Sequence, residues 1–190
     1  MNPDAPLVGL DRIRSAAVLL RGVATRTPLV AFGDPARGQL LKAESLQPIG
    51  AFKLRGAYTA ISSLGPDELR RGVITYSSGN HAQGVARAAR LLGCPAVVVM
   101  PDNAPTIKRI RVLADGAEVV TVGPASAERP AVAERLAAER GLAIIPPYDD
   151  DRTSPARAPA ASRSRKTSRT WVSSWSPSAA AAWRAASRSQ

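Results

Sequence analysis

The feature that most constrains the fold of this chain is an alternation of short apolar runs and helical patterns between residues 69 and 148. Four β-branched runs are each apolar enough to be strands buried on both faces: Val73–Ser77, Ala96–Met100, Glu118–Val122 and Leu142–Ile145. Stretches of helix-forming composition separate them and end near glycines: Asn80–Leu92, Pro105–Ala114 and Ala125–Arg140. This pattern predicts an α/β fold with a parallel sheet, whose right-handed crossovers bring the helix N-termini to the carboxyl edge of the strands.

The rest of the chain differs from this central region on both sides. Ahead of it, Leu10–Val23 and Lys53–Leu64 read as helices with extended chain between them. After residue 148 hydrophobic periodicity disappears, and Ser, Ala and Arg dominate. We therefore predict three regions: 1–68 as the first part of a larger domain, 69–148 as a small α/β domain, and 149–190 as an aberrant, disordered basic tail.

Composition limits the classes of function. The formal net charge is +11, but residues 151–190 hold eight basic side chains against Asp151, which leaves only +4 for the first 150 residues. Nucleic-acid binding is therefore not predicted for the folded part. The sequence shows no basic leader and no apolar stretch near the roughly 20 residues of a membrane span, so we expect a cytoplasmic protein. Cys94 is the only cysteine, and we expect a buried structural thiol and no metal site.

Lys53, in the segment GAFKLRGAY, is the candidate nucleophile. A lysine becomes nucleophilic only when its ammonium group loses a proton, which apolar surroundings promote. Ala51, Phe52 and Leu54 supply such surroundings. The segment alone also fits a solvated lysine on an amphipathic helix, but a second motif that suits a bound ligand lies at close range.

That second motif, SSGNHAQGVA, begins where a predicted strand ends and a helix starts. Free backbone N–H groups and the helix dipole at such a position form an anion site that suits a substrate carboxylate. Ser77 and Ser78 add hydroxyl donors, and Gly79 permits close backbone approach. Asn80 offers an amide to a cofactor oxygen, and His81 offers its backbone N–H or its ring. A plain helix cap without a ligand is the alternative interpretation.

Three segments together carry a resemblance to a known family. KAESLQPIGAFKLRGAY, SSGNHAQGVA and PDNAPTIKRIRVLADGAEVV occur in this order within residues 10–150. As a set they resemble the threonine dehydratase and serine racemase group of fold-type II pyridoxal phosphate enzymes. Cysteine synthase and threonine synthase share that fold, but the FKLRGA and GNHAQ runs favour the dehydratase branch.

The resemblance implies a role for each candidate residue. Lys53 would form the Schiff base with pyridoxal 5'-phosphate and remove the substrate α-proton. Phe52 would wall the cofactor ring, and Asn80 would bond its 3'-oxygen. The loop that holds the substrate carboxylate would consist of Ser77, Ser78, Gly79 and His81.

The implied reaction is α,β-elimination from a small amino acid, L-threonine or L-serine, to a 2-oxo acid and ammonia. Ser78 also matches the residue that acts as the opposite-face acid and base in racemases, so a serine racemase remains an alternative. A third interpretation is a catalytically inactive module whose basic tail contacts acidic partners. Members of the family are usually homo-oligomeric and include enzymes of isoleucine biosynthesis.

The composition of residues 149–190 suggests how this tail arose. A natural disordered basic tail would have this composition. In the neighbouring reading frame, however, Ser168–Ser178 can encode a buried strand and Ala179–Ala182 a run of glycines, which is the phosphate loop that the resemblance requires. Our hypothesis is that residues from about 151 onward are an out-of-frame translation of a dehydratase gene, through a genuine frameshift or a sequence error.

This hypothesis has a structural consequence. By resemblance, Lys53 belongs to a large domain whose sheet comes mostly from chain beyond residue 150, with the phosphate loop and a residue facing the pyridine nitrogen. We therefore expect residues 1–66 to lack packing partners and to expose apolar surface. We also expect this polypeptide to bind pyridoxal phosphate weakly or not at all.

Overall fold

The computed structural model describes residues 9–34, 39–124 and 127–148, so the predicted tail lies outside the described residues. The first part of the chain contains α1 (Leu10–Leu19), β1 (Leu29–Ala31), β2 (Leu40–Lys42), a 3-10 turn (Glu44–Leu46), α2 (Lys53–Ser62) and α3 (Pro66–Arg71). The second part contains β3 (Val73–Tyr76), α4 (Asn80–Leu91), β4 (Ala96–Pro101), α5 (Thr106–Ala114), β5 (Glu118–Val122), α6 (Glu128–Arg140) and β6 (Ala143–Ile144). Strands and helices alternate from β3 onward, as the sequence predicts.

A four-stranded sheet with the order β5-β4-β3-β6 forms the centre of the second part. All three strand pairings are parallel, and Val73 at the start of β3 lies opposite Ala96 of β4 and Ala143 of β6. The strands therefore run in one direction, and the loops that precede α4, α5 and α6 gather at one edge. This topology confirms the predicted α/β fold with a parallel sheet.

The strands differ in burial. Every residue of β4 is buried, and so are the first three of β3. The expectation that all four strands are buried on both faces is wrong for β5, where Glu118 and Thr121 are exposed and the valines are half-buried, and for β6, where both residues are half-buried. The physical reason is position, because β5 and β6 are the two edges of the described sheet and each pairs with one neighbour only.

Three glycines end the helices that alternate with these strands. Gly93, Gly116 and Gly141 follow α4, α5 and α6 with φ of 64°, 83° and 67°. These left-handed conformations suit glycine because it has no Cβ atom to collide with the backbone. The glycine stops read from the sequence are therefore confirmed.

The helix that begins at Lys53 is part of the main hydrophobic core. Leu54, Ala57 and Ile61 of α2 are fully buried and belong to one cluster with Val85 and Ala89 of α4. The expectation that residues 1–66 lack packing partners is therefore wrong for α2, because α4 supplies the partner. The predicted boundary between residues 68 and 69 stays a prediction.

The segment before α2 is packed less completely. Ala16 and Leu20 near the end of α1 are buried against Tyr58 of α2. The strands β1 and β2 pair only with each other, and Val18 and Phe32 are more than half exposed. Apolar surface is therefore exposed here, as expected. Within the described part of the chain, no helix is long and apolar enough to cross a membrane.

Candidate functional site

The loop between β3 and α4 brings the predicted carboxylate-binding residues to one helix N-terminus. The Ser77 N–H donates to the Val99 carbonyl (3.0 Å) and so extends the pairing of β3 with β4. The Gly79 N–H donates to the Ser77 hydroxyl oxygen (3.2 Å), and Ser78 lies half-buried between them. Helical geometry leaves the first amide groups of α4, from Asn80 onward, without intrahelical partners. Such a helix start suits a carboxylate.

Lys53 is the first residue of α2 and is half-buried. Its Nζ donates a hydrogen bond to the Pro147 carbonyl (2.6 Å) and lies 5.5 Å from the centroid of the Phe52 ring. An ammonium group gains a cation–π attraction at this distance. The predicted nucleophile and its predicted aromatic neighbour are therefore side by side, and the Lys53 amine faces the chain that follows β6.

The chain after β6 connects Lys53 with the start of α4. The Ile145 carbonyl accepts a hydrogen bond from the Thr75 hydroxyl (2.7 Å) and lies 3.1 Å from Nε2 of His81, which is buried. A carbonyl oxygen only accepts, so Nε2 must carry the proton that makes this bond. The His81 ring is thus anchored by Nε2 to the backbone, two residues from the carbonyl that holds Lys53.

Gly84 sets the distance between the two helices that carry the site. A Cβ atom at this position would lie 3.1 Å from the backbone carbon and oxygen of Lys53 and 3.3 Å from the Leu54 nitrogen. These separations are tighter than ordinary van der Waals contact. Only glycine therefore lets α4 approach the first turn of α2 so closely, and this approach places Lys53 beside the second turn of α4.

Asn80 makes contacts on the side of α5. Lys108 donates from Nζ to Oδ1 of Asn80 (2.6 Å), and Nε2 of Gln83 lies 3.5 Å from the same oxygen. Arg111, one turn further along α5, approaches Oε1 of Gln83 at 3.5 Å. The start of α4 thus has cationic groups of α5 along one side, which adds to its attraction for anions.

A buried polar network lies behind the first turn of α2. Arg55 donates to both carboxylate oxygens of Glu44 (2.8 and 3.0 Å) and to the Thr25 carbonyl (2.9 Å). The Thr27 hydroxyl and the Gln47 amide also donate to Glu44 (2.7 and 3.1 Å). Arg55 is 2% exposed and Glu44 8%. The network fastens two separate segments, one with Thr25 and Thr27 and one with Glu44 and Gln47, to the helix that carries Lys53.

The pKa values of Glu44, in this network, and of Cys94 are both shifted from their usual values. Burial raises the pKa of Glu44, but hydrogen bonds from Arg55 and Thr27 and the charges of Arg55 and Lys42 outweigh it and hold the pKa below 4.5. Burial raises the pKa of the Cys94 thiol above 9.0, although a hydrogen bond from the Val73 backbone opposes this. Cys94 is buried, as predicted.

The structure places the seven predicted site residues at the starts of two packed helices. Sequence reasoning missed the residues that hold this arrangement, namely Gly84, Pro147, Lys108, Glu44 and Arg55. A glycine inside a helical pattern is a known signal for close packing, so Gly84 could have been found. The partners of Lys108 and Arg55 could not, because they come from distant parts of the chain.

These residues fit pyridoxal phosphate in part. An amine beside an aromatic ring, two serine hydroxyls and an asparagine amide suit its aldehyde, its ring and an amino-acid substrate. The described residues contain no two adjacent glycines, so they supply no glycine-rich phosphate loop. Nor do they contain a group of three or more histidine, cysteine or acidic residues that could hold a metal ion.

Comparison with known proteins identifies the same type of enzyme. The model of the family described as pyridoxal-phosphate dependent enzyme matches residues 20–169. The L-threo-3-hydroxyaspartate ammonia-lyase of Saccharomyces cerevisiae is 45% identical over 108 residues, which are 57% of this chain and 33% of that protein. The L-threonine ammonia-lyase of Thermotoga maritima is 38% identical over 148 residues, or 76% of this chain and 37% of that protein.

Solved structures give the same result for the fold. Maize serine racemase superimposes with a TM-score of 0.79 at 33% sequence identity, covering 85% of this chain and 50% of the racemase chain. The chain therefore spans half or less of the length of these relatives.

Proposed function

Because the chain belongs to the family of pyridoxal-phosphate dependent enzymes, whose cofactor is pyridoxal 5'-phosphate, we propose that it carries part of the site of an L-threonine or L-serine ammonia-lyase. The observation that supports this most directly is the position of Lys53. Its amine faces the chain after β6, and the same chain anchors His81 in the loop that suits a carboxylate.

Each residue has a defined task in this proposal. Lys53 would bond to the cofactor aldehyde, and its amine, once displaced by the substrate amino group, would take the proton from the substrate Cα. Ser77, Ser78 and the first amides of α4 bind the substrate carboxylate. Asn80 donates to an oxygen of the cofactor ring, and Phe52 shields one side of the ring from water.

The cofactor withdraws electrons from the substrate Cα, which makes its proton acidic enough for an amine to remove. The hydroxyl group would then leave from Cβ as water, with the proton that Lys53 took from Cα, and hydrolysis of the unsaturated amine would give a 2-oxo acid and ammonia. The Lys53 amine must be unprotonated before it can bond to an aldehyde.

A serine racemase is the second candidate. Ser78 follows Ser77 in the same loop, and the chain resembles maize serine racemase over 85% of its length. In a racemase, a hydroxyl on the face opposite Lys53 returns the proton to Cα with inverted configuration. Chiral analysis of serine incubated with the protein and cofactor separates this candidate from an ammonia-lyase.

The test is reductive trapping on the full chain. We incubate it with pyridoxal phosphate, reduce with borohydride and locate the modified lysine by mass spectrometry, with Lys53→Ala as the control variant. Because the affinity is expected to be weak, dialysis should remove most of the cofactor when reduction is omitted. Preferential modification of Lys53 over Lys42 supports the proposal, and equal modification of both lysines would contradict it.

Two further measurements extend this test. Pyridoxal without the phosphate group should modify Lys53 as readily as pyridoxal phosphate, because the described residues supply no phosphate loop. Formation of a 2-oxo acid from L-threonine or L-serine, absent in Lys53→Ala, would support the ammonia-lyase reaction. Salt-sensitive retention on DNA without turnover would instead support the inactive binding module.

A further inference from the structure

Lys108 makes a short side-chain contact with the exposed Asn80, and the sequence alone assigns it no role. Its Nζ lies 2.6 Å from Oδ1 of Asn80. Lys108 belongs to α5 and Asn80 to the first turn of α4, so the contact bridges two helices across 28 positions of the sequence. Nε2 of Gln83 lies on the same side of the amide, 3.5 Å from Oδ1.

The chemistry of the two groups fixes the direction of the amide. A lysine ammonium group has three donors and no acceptor, whereas an asparagine amide has one accepting oxygen and one donating nitrogen. Only the amide oxygen can therefore face Lys108, and the NH₂ group must point away from it. Without such a partner the terminal amide torsion is broad and roughly two-fold, so both orientations would be populated.

We propose that Lys108 is a positioning residue that locks the Asn80 amide with its NH₂ group presented to the cofactor ring oxygen, and so favours the oxyanion form of that oxygen. The inference rests on the proposed function, since it takes Asn80 as the partner of the ring. An NH₂ group donates to an oxyanion, whereas the reversed amide would accept from a neutral hydroxyl group. The ammonium charge acts in the same direction, because it attracts the developing negative charge.

Arg109 offers a matched control on the same helix. It is the next residue after Lys108, also half-buried, and carries the same charge. Its guanidinium contacts the Thr121 hydroxyl and the carbonyls of Pro101 and Asp102. Arg109→Met therefore removes a nearby positive charge without removing the contact to Asn80.

The first measurement needs no cofactor. In the full chain labelled with ¹³C and ¹⁵N, the side-chain amide resonances of Asn80 are assigned by their loss in Asn80→Ala. We expect them to move in Lys108→Met and to stay in place in Arg109→Met, with Lys108→Arg close to the wild type. Unchanged Asn80 resonances in Lys108→Met would overturn the inference, whatever the protein does with pyridoxal phosphate.

The second measurement uses added pyridoxal phosphate and the absorbance of the lysine-bound form. The ratio of the oxyanion form to the neutral hydroxyl form should fall about tenfold in Lys108→Met, the order expected for one hydrogen bond to a charged acceptor. It should be retained in Lys108→Arg and Arg109→Met. An equal ratio of oxyanion to neutral hydroxyl form in the wild type and in all three variants would contradict a role of Lys108 toward the cofactor.

The two measurements also separate this inference from the proposed function. If reductive trapping finds no modification at Lys53 in any chain, the proposed function fails and the role toward the cofactor fails with it. The resonances would still decide whether Lys108 orients Asn80. If Lys53 is trapped and the ratio does not change, the proposed function stands and the inference alone is wrong. Circular dichroism of each variant confirms that it is folded.

Discussion

Removing Arg55 should destabilise the chain more than any change at an exposed ion pair. Arg55→Met removes two hydrogen bonds to the Glu44 carboxylate and one to the Thr25 carbonyl. It also leaves the negative charge of Glu44 buried without the positive charge of Arg55. Breaking a buried ion pair by removing one partner costs about 3–5 kcal/mol. The whole free energy of unfolding of a domain is about 5–15 kcal/mol. We therefore expect a large fraction of the stability to be lost.

The control is an exposed pair in α6. Arg135 and Glu139 are linked at 2.9 Å, but their side chains are 62% and 51% exposed. Such pairs contribute about 0.3–0.5 kcal/mol, so Arg135→Met should have little effect. Urea unfolding followed by circular dichroism is the assay, because all three tryptophans lie outside the described residues. An Arg55→Met variant as stable as Arg135→Met would refute the reasoning.

Glu44→Gln completes the comparison and adds a pH dependence. The double variant with Arg55→Met should be less destabilised than the sum of the two single variants, because the second change removes the charge that the first leaves unpaired. The pKa of Glu44 is below 4.5 in the folded chain, mainly because Arg55 and Thr27 outweigh its burial. Its contribution is therefore fully present above about pH 4.5 and is lost as the pH falls through the lower folded value. Glu44→Gln should lack this acid-dependent loss.

Three other predictions follow from single features. Gly84→Ala should destabilise the chain by roughly 1–3 kcal/mol in the same assay, because its Cβ atom would press on the Lys53 backbone; unchanged stability would contradict this. The Cys94 thiol should react with Ellman's reagent more than tenfold more slowly than free cysteine at neutral pH, since burial raises its pKa and limits access; an equal rate would show that the thiol is accessible. The codons of Ala179–Ala182 should encode glycines in the neighbouring frame, and the frameshift hypothesis fails if the DNA shows otherwise.

The sequence predicts the central architecture because the signals there are local. Four apolar runs and three glycine stops lie within a few residues of the observed strands and helix ends, and each follows from burial or from a left-handed turn. Glu118 and Thr121 are polar and are the two exposed residues of β5, whereas β4 has no polar side chain, so the composition already indicates the difference. The strand order that puts β5 at an edge could not be predicted from local signals. The hairpin of β1 and β2 was read as extended chain for a similar reason, since its pairing joins segments nine or more residues apart.

The residues of the candidate site also fall into two groups, those that local sequence indicates and those whose roles depend on the fold. Lys53 and the Ser77–His81 loop were found because their residue types imply chemistry by themselves. The residues that position them are ordinary in sequence, and their roles depend on the fold. Glu44 is one of 15 acidic residues, and nothing beside it indicates that it meets Arg55 in the core. Lys108 likewise reads as a helix-surface lysine until α5 packs beside α4.

The contacts that position Lys53 are different from the contacts that would hold the cofactor phosphate. The close approach at Gly84 fixes the front of the first turn of α2, and the Glu44–Arg55 network holds the back. Both contacts are made by described residues. We expect weak cofactor binding because the described residues supply no glycine-rich phosphate loop. A lysine that is well placed yet poorly supplied with phosphate donors should react with aldehydes selectively but release them readily.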